Sequence, residues 1–264
     1  DEAFAQKNRT LIRYNQGRLK ALPPCSQAFR RPFSATVNRH IPIESPMSLL
    51  HKLDTYWQKP LLYWPLLLLL AAATPLTFAP YYHFWLMPLL FAALIRLWEL
   101  RPRRAVAAAY LFGLAAYTAQ FYWIHTALHD VSGLPNLYAV PLTFLLPAFL
   151  ALYPAACIWL WEKFTLPRWL HIGVALPLLW TLTEFARERL LTGFGWGALG
   201  YSQIADGSPL AGFAPIGGIH LVTLAAACLG AWLVLLVNSP GRTKTRLGAA
   251  AAITALLLGG HFAR

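Results

Sequence analysis

An all-α bundle that crosses a membrane about seven times is the fold class this sequence predicts, and three observations predict it. Of its 264 residues, 58% are hydrophobic and only 12% charged, where soluble domains carry about 25% charged residues. From Leu61 onward, apolar runs recur at close to the length of about 20 helical residues that a hydrocarbon core demands. Lys and Arg collect in the breaks between alternate runs, the pattern that sets orientation in a bilayer.

Residues 1 to 46 are polar and basic, rich in Arg, Gln, Asn and Pro, with no apolar periodicity able to bury a core. They are expected to be disordered. Because the first methionine is Met47, this stretch reads as upstream sequence or an extension. A transit peptide is the other reading, opposed by Asp1, Glu2 and Glu44 and by the lack of an amphipathic pattern. The membrane domain then runs from 47 to 264, with spans expected near 61–79, 83–100, 105–125, 138–161, 169–186, 217–237 and 247–262. Helices are required because an unpaired backbone group in lipid costs several kcal/mol, and the runs lack the period-two alternation of a barrel strand. Pro65, Pro75, Pro88, Pro141, Pro147, Pro154 and Pro177 fall in or beside these runs and predict kinks.

Lys52 and Lys59 precede the first run, and Arg101, Arg103 and Arg104 separate the second from the third. Lys163 and Arg168 separate the fourth from the fifth, and Arg242, Lys244 and Arg246 precede the seventh. In a seven-span scheme all four clusters share one side, and the positive-inside rule makes it cytoplasmic. The N-terminus is therefore expected inside and the C-terminus outside.

A formal charge of +12 could suit nucleic acid, but eight of the 22 basic residues lie before Met47 and most others sit between apolar runs. That placement fits a membrane surface and leaves no basic stripe with interleaved aromatics for nucleic acid. Cys25, Cys157 and Cys228 are too scattered for a disulfide framework or a CxxC metal site. Cys157 and Cys228, inside apolar runs, read as small packing residues.

The most informative stretch runs from Trp180 to Gly218. Glu184 stands three residues before Arg187 and four before Glu188, which stacks these charges on one helical face at the outer end of the fifth span. Carboxylate and guanidinium groups at membrane depth cost about 2.5–3.5 kcal/mol each, so either a Glu184–Arg187 pair or a watery cavity is expected. One reading is an interfacial salt bridge that anchors the helix end, and the other is an outward polar pocket that meets lipid headgroups. Gly193, Gly195, Gly197 and Gly200 then alternate with Phe194, Trp196 and Tyr201, a composition suited to a re-entrant or interface-lying loop. His125 and His129 are four apart, yet only Asp130 lies near as a third ligand, so a metal site is not expected. His220 suits an interhelical hydrogen bond. No Walker, HExxH, GxSxG or dinucleotide fingerprint is present, and no cofactor is implied.

In this stretch Thr183, Glu184, Phe185 and Arg187 are followed by Leu191, Thr192, Gly193, Phe194 and Trp196, then by Gly200, Tyr201, Ser202, Gln203, Asp206, Gly207, Leu210, Gly212, Ala214, Pro215 and Gly218. That pattern resembles the membrane domain of the bacterial apolipoprotein N-acyltransferase family. The segments Phe78 to Trp85, Phe112 to His125 and Gly133 to Asn136 agree with it, and the likeness covers Met47 onward. The resemblance implies an inner-membrane acyltransferase that moves an acyl chain from a phospholipid donor to the N-terminal amine of a diacylglyceryl-cysteine lipoprotein. It also implies that the chemistry belongs to a periplasmic nitrilase-like domain, where a Glu, Lys and Cys set forms a thioester acyl-enzyme. No catalytic residue is assigned in this chain, which is expected to be a fragment that is inactive alone. Glu184, Arg187, Trp196 and Tyr201 are the residues expected to line lipid access. The alternative is a small transporter or permease subunit with Glu184 or His220 on its path, although the two halves show no self-similarity. A structural scaffold is a third reading.

Overall fold

The computed structural model describes residues 54–191, 193–239 and 241–263. The expected disorder of residues 1 to 46, together with Cys25, Lys52 and the pattern residue Thr192, lies outside the described residues. Among the described residues every regular element is helical. The main helices are α1 (Pro60–Ala73), α2 (Leu86–Leu100), α3 (Ala105–Phe121), α4 (Asn136–Trp161), α5 (Arg168–Arg189), α6 (Ala214–Val237) and α7 (Thr243–Phe262).

Each expected apolar run falls on one of these helices. By length and composition, four helical stretches are able to cross a membrane: Pro60–Thr77, Asn136–Trp161, Arg168–Arg189 and Pro209–Val237. Helices α2 and α3 are shorter, at 15 and 17 residues, while α7 has 20 but opens with Lys244 and Arg246. Pro141 and Pro147 lie inside α4, α5 carries a π-helical turn at His171–Ala175, and Gly217 and Gly218 break α6 near its start.

The outward faces are apolar. Leu61, Leu69, Leu137, Leu145, Ile216 and Leu247 are all exposed, a distribution that suits lipid and would expose apolar patches if water surrounded the bundle. Within lipid, apolar burial gives no hydrophobic gain, so cohesion depends on close packing and interhelical hydrogen bonds. Both are present. Phe91 and Trp98 of α2 pack on Trp180 of α5, with ring centroids 4.9 and 6.1 Å from it. The fully buried Ala105, Ala108 and Ala109 give α3 a small-residue face, and α3 packs against α1 and α4. Helix α6 is central, packing against α2, α5 and α7.

The basic clusters meet at one end of the bundle. Arg96 of α2 binds Asp54, and Arg101 donates to the Gln58 carbonyl at 3.0 Å. Arg168, at the start of α5, grips Glu99 with two bonds of 2.8 and 2.9 Å and donates to the Asn238 carbonyl, just past α6, at 3.0 Å. These contacts pin the ends of α2, α5 and α6 together. The segments carrying Phe84, Trp123, Trp196 and Tyr201 lie at the other end.

Candidate functional site

Helix α5 ends at Arg189, where Leu190 turns extended and Leu191 adopts a φ of 57°. The chain then doubles back across the helix end, and the Phe194 N–H donates to the Arg187 carbonyl at 2.9 Å. Gly193 is the pivot: its φ is +69°, and a Cβ there would stand 2.1 Å from the Glu188 carbonyl oxygen. No larger residue fits. The loop continues into a 3₁₀ turn at Leu199–Gln203, where Gly200 rests directly on α6. A Cβ at Gly200 would meet the Ile219 carbonyl oxygen at 2.6 Å and Thr223 Oγ1 at 2.8 Å.

Glu184, 6% exposed, is the anchor for this turn. Its carboxylate accepts from Trp180 Nε1 at 3.0 Å, from the Leu199 N–H at 2.9 and 3.1 Å, and from Thr223 Oγ1 at 3.0 Å. Thr223 Oγ1 in turn accepts from the Gly200 N–H at 3.0 Å. A carboxylate taken out of water needs such donors to offset its desolvation, and they come from α5, the loop and α6 together. The ion-pair arm of the sequence expectation is not what the structure shows, and a small cavity lies beside Glu184 instead. Among the described residues no Glu184–Arg187 ion pair forms within 4.0 Å, whereas Glu184 borders a cavity of ≈ 40 Å³ beside Tyr117, Gln120 and Trp180, room for a water or two.

Arg187 is 1% exposed and acts from behind the loop. Its Nη1 donates to the Trp196 carbonyl at 2.7 Å, and its guanidinium lies 5.3 Å from the centre of the Tyr117 ring. Nε and Nη2 are buried without a protein partner. Glu188 leaves this cluster and pairs with His220 of α6 at 2.9 Å, which places His220 in the interhelical role expected of it.

Beyond the loop an open groove of ≈ 730 Å³ is walled by Phe78, Pro80, Tyr81, Gln120, Tyr122, Trp123, Trp196 and Tyr201. Trp196 is 60% exposed and Tyr201 37%, and the Trp123 and Trp196 rings lie 5.5 Å apart. Gln120 and Gly197 border both the groove and the inner cavity. Of the four expected residues, then, Trp196 and Tyr201 face the groove, Glu184 faces the inner cavity, and Arg187 faces neither and holds the Trp196 backbone. Phe78, Tyr81, Gln120 and Trp123 also wall the groove and are not among the residues the sequence singles out for it. Their aromatic, interface-like composition was the available signal. Gln203 completes the frame, donating to the Phe84 carbonyl at 2.9 Å and accepting from Ser208 Oγ at 2.9 Å. His125 and His129 are each engaged otherwise, with Asn136 Oδ1 at 3.1 Å and the Leu134 carbonyl at 2.8 Å.

Comparison with known proteins converges on this region. The family model for the apolipoprotein N-acyltransferase N-terminal domain matches residues 70–232, which include all four expected site residues. The apolipoprotein N-acyltransferase of Neisseria meningitidis serogroup B is 73% identical over 216 residues, 82% of this chain and 42% of that protein. That of Chromobacterium violaceum is 49% identical over 71% of this chain and 37% of its own length, and that of Vibrio cholerae 40% identical over 62% and 33%. The chain thus spans less than half the length of the curated relatives it matches.

Proposed function

Because this chain belongs to the apolipoprotein N-acyltransferase N-terminal domain family, we propose that it forms the membrane part of an enzyme that transfers an acyl chain from a phospholipid to the N-terminal amine of diacylglyceryl-cysteine lipoproteins. It sits in the bacterial inner membrane as about seven spans, with the Arg101–Arg104 and Arg242–Arg246 ends cytoplasmic and the groove outside. The observation that carries the reading is the aromatic groove at the end opposite the basic clusters. Exposed Trp196, Trp123 and Tyr201 have amphipathic rings suited to headgroup depth, and ≈ 730 Å³ of open space accepts lipid segments from the side. The Glu184 and Arg187 frame keeps the loop in one conformation, so that Trp196 and Tyr201 hold donor and acceptor close together. Proximity of this kind is the bundle's contribution to rate.

Among the described residues neither cysteine is placed to act as the nucleophile for the transfer itself. Cys157 is buried in the bundle and Cys228 is partly covered, and an acyl-enzyme requires an accessible thiolate beside a base. Supplied alone, this chain is inactive. In cells depleted of their own N-acyltransferase, the chain with a co-expressed nitrilase-like domain restores N-acylation of a reporter lipoprotein, read by mass spectrometry. The chain alone does not, and Trp196→Ala with Tyr201→Ala lowers the restored level at least tenfold. Full acylation by the double variant would remove the groove from the mechanism.

A further inference from the structure

A second groove opens at the basic end of the bundle, far from the aromatic one. It encloses ≈ 420 Å³ between α5, α6 and α7, walled by Trp169, Trp232, Leu235, Lys244, Thr245 and Gly248. Trp232 Nε1 is already bonded to the Gly173 carbonyl at 3.0 Å, so its ring offers the groove only apolar surface. At Gly248 a Cβ would find nothing within 4 Å, so this wall is open rather than packed.

The charge beside this groove is uncompensated. Arg242, Lys244 and Arg246 fall within five residues, and the chain has no Asp or Glu after Asp206. Among the described residues none of the three forms an ion pair, and Arg246 Nε is bonded to the Leu236 carbonyl at 2.9 Å. At the same end of the bundle two half-buried cations are matched: Arg96 to Asp54 and Glu99, and Arg168 to Glu99. The protein therefore neutralises Arg96 and Arg168 itself and leaves Lys244, without an acidic partner, on the wall of a largely apolar slot. An occupant that satisfies both must be an amphiphile with an anionic head.

We propose that the groove between α5, α6 and α7 binds an anionic phospholipid, its phosphate on Lys244 and Thr245 and an acyl chain against Trp169 and Trp232. This lipid is structural and is distinct from any acyl donor at the opposite end. The inference rests on the membrane reading of the bundle but not on acyl transfer.

The test is native mass spectrometry of the full chain in a neutral detergent, titrated with phosphatidylglycerol or with phosphatidylcholine of the same acyl length. One phosphatidylglycerol is retained in preference to phosphatidylcholine. Lys244→Ala weakens that retention about fivefold, the factor that one surface cation contributes toward an anionic headgroup. Gly248→Leu, whose side chain enters open space, weakens it without lowering the melting temperature of the lipid-free protein. Equal retention of the two lipids overturns the proposal, as does unchanged phosphatidylglycerol retention in both variants. Displacement of the lipid by millimolar inorganic phosphate also overturns it, because the site would then bind free anions.

Discussion

Removing the Glu184 carboxylate tests the frame of the site most directly, because three elements converge on it. In Glu184→Ala the donors Trp180 Nε1, Leu199 N–H and Thr223 Oγ1 lose their acceptor. Thr223 can turn its hydroxyl toward a helix carbonyl, whereas the indole and the Leu199 amide have Glu184 as their acceptor. Each orphaned buried donor costs about 1–3 kcal/mol. Three bonds at the average of about 0.6 kcal/mol found in membrane interiors set the lower end near 2 kcal/mol. A loss of roughly 2–4 kcal/mol corresponds to a fall in melting temperature of roughly 4–16 °C for a chain of this size. Glu184→Gln keeps the volume and one acceptor oxygen for Trp180 and Leu199, and its amide can donate to Thr223 Oγ1. It loses only the charge-assisted part of the bonds, about 1 kcal/mol and roughly 2–4 °C. The assay is thermal unfolding in detergent, paired with hydrogen exchange at the Leu199 amide, which speeds up more in Ala than in Gln. If Gln is as damaging as Ala, the Glu184 charge acting on Arg187 governs the site and the hydrogen-bond account fails.

The other predictions concern the loop, its packing and the topology. Arg187→Met keeps the stem but removes the bond to the Trp196 carbonyl; proteolysis at the Trp196 loop rises about tenfold, as expected for a charge-assisted bond of about 1.5 kcal/mol, and an unchanged cleavage rate would show that the loop is held elsewhere. Gly200→Ala drives a methyl group to 2.6 Å from the Ile219 carbonyl and costs about 1–3 kcal/mol of overpacking, whereas Gly248→Ala, in open space within α7, raises the melting temperature by about 1–4 °C through helix propensity. Equal melting temperatures for these two variants would contradict the close contact of loop and α6. Alkaline phosphatase fused after Arg264 is active, and the same enzyme fused after Arg104 is inactive; the reverse pattern would invert the bundle.

Much of the fold was legible in the residue order. Every expected apolar run, from the one near 61–79 to the one near 247–262, lies on a helix, because in lipid a backbone must satisfy itself locally and so length and apolarity suffice to predict the element. The break in α6 at Gly217 and Gly218 also coincides with the predicted start of that run near 217. The site was legible only as a list. Glu184 and Arg187 share a helical face by spacing, yet spacing could not say that they would avoid pairing. The carboxylate is instead claimed by an amide 15 residues and a hydroxyl 39 residues further along the chain.

The sequence by itself determined that this is a helical membrane bundle, where its cations gather and which stretch carries the family pattern, since composition and period act through local physics. Only the tertiary structure decided which of the patterned residues face open space. Trp196 and Tyr201 do, while Arg187 is sealed behind them, because burial is set by contacts between helices distant in sequence and no local periodicity encodes them.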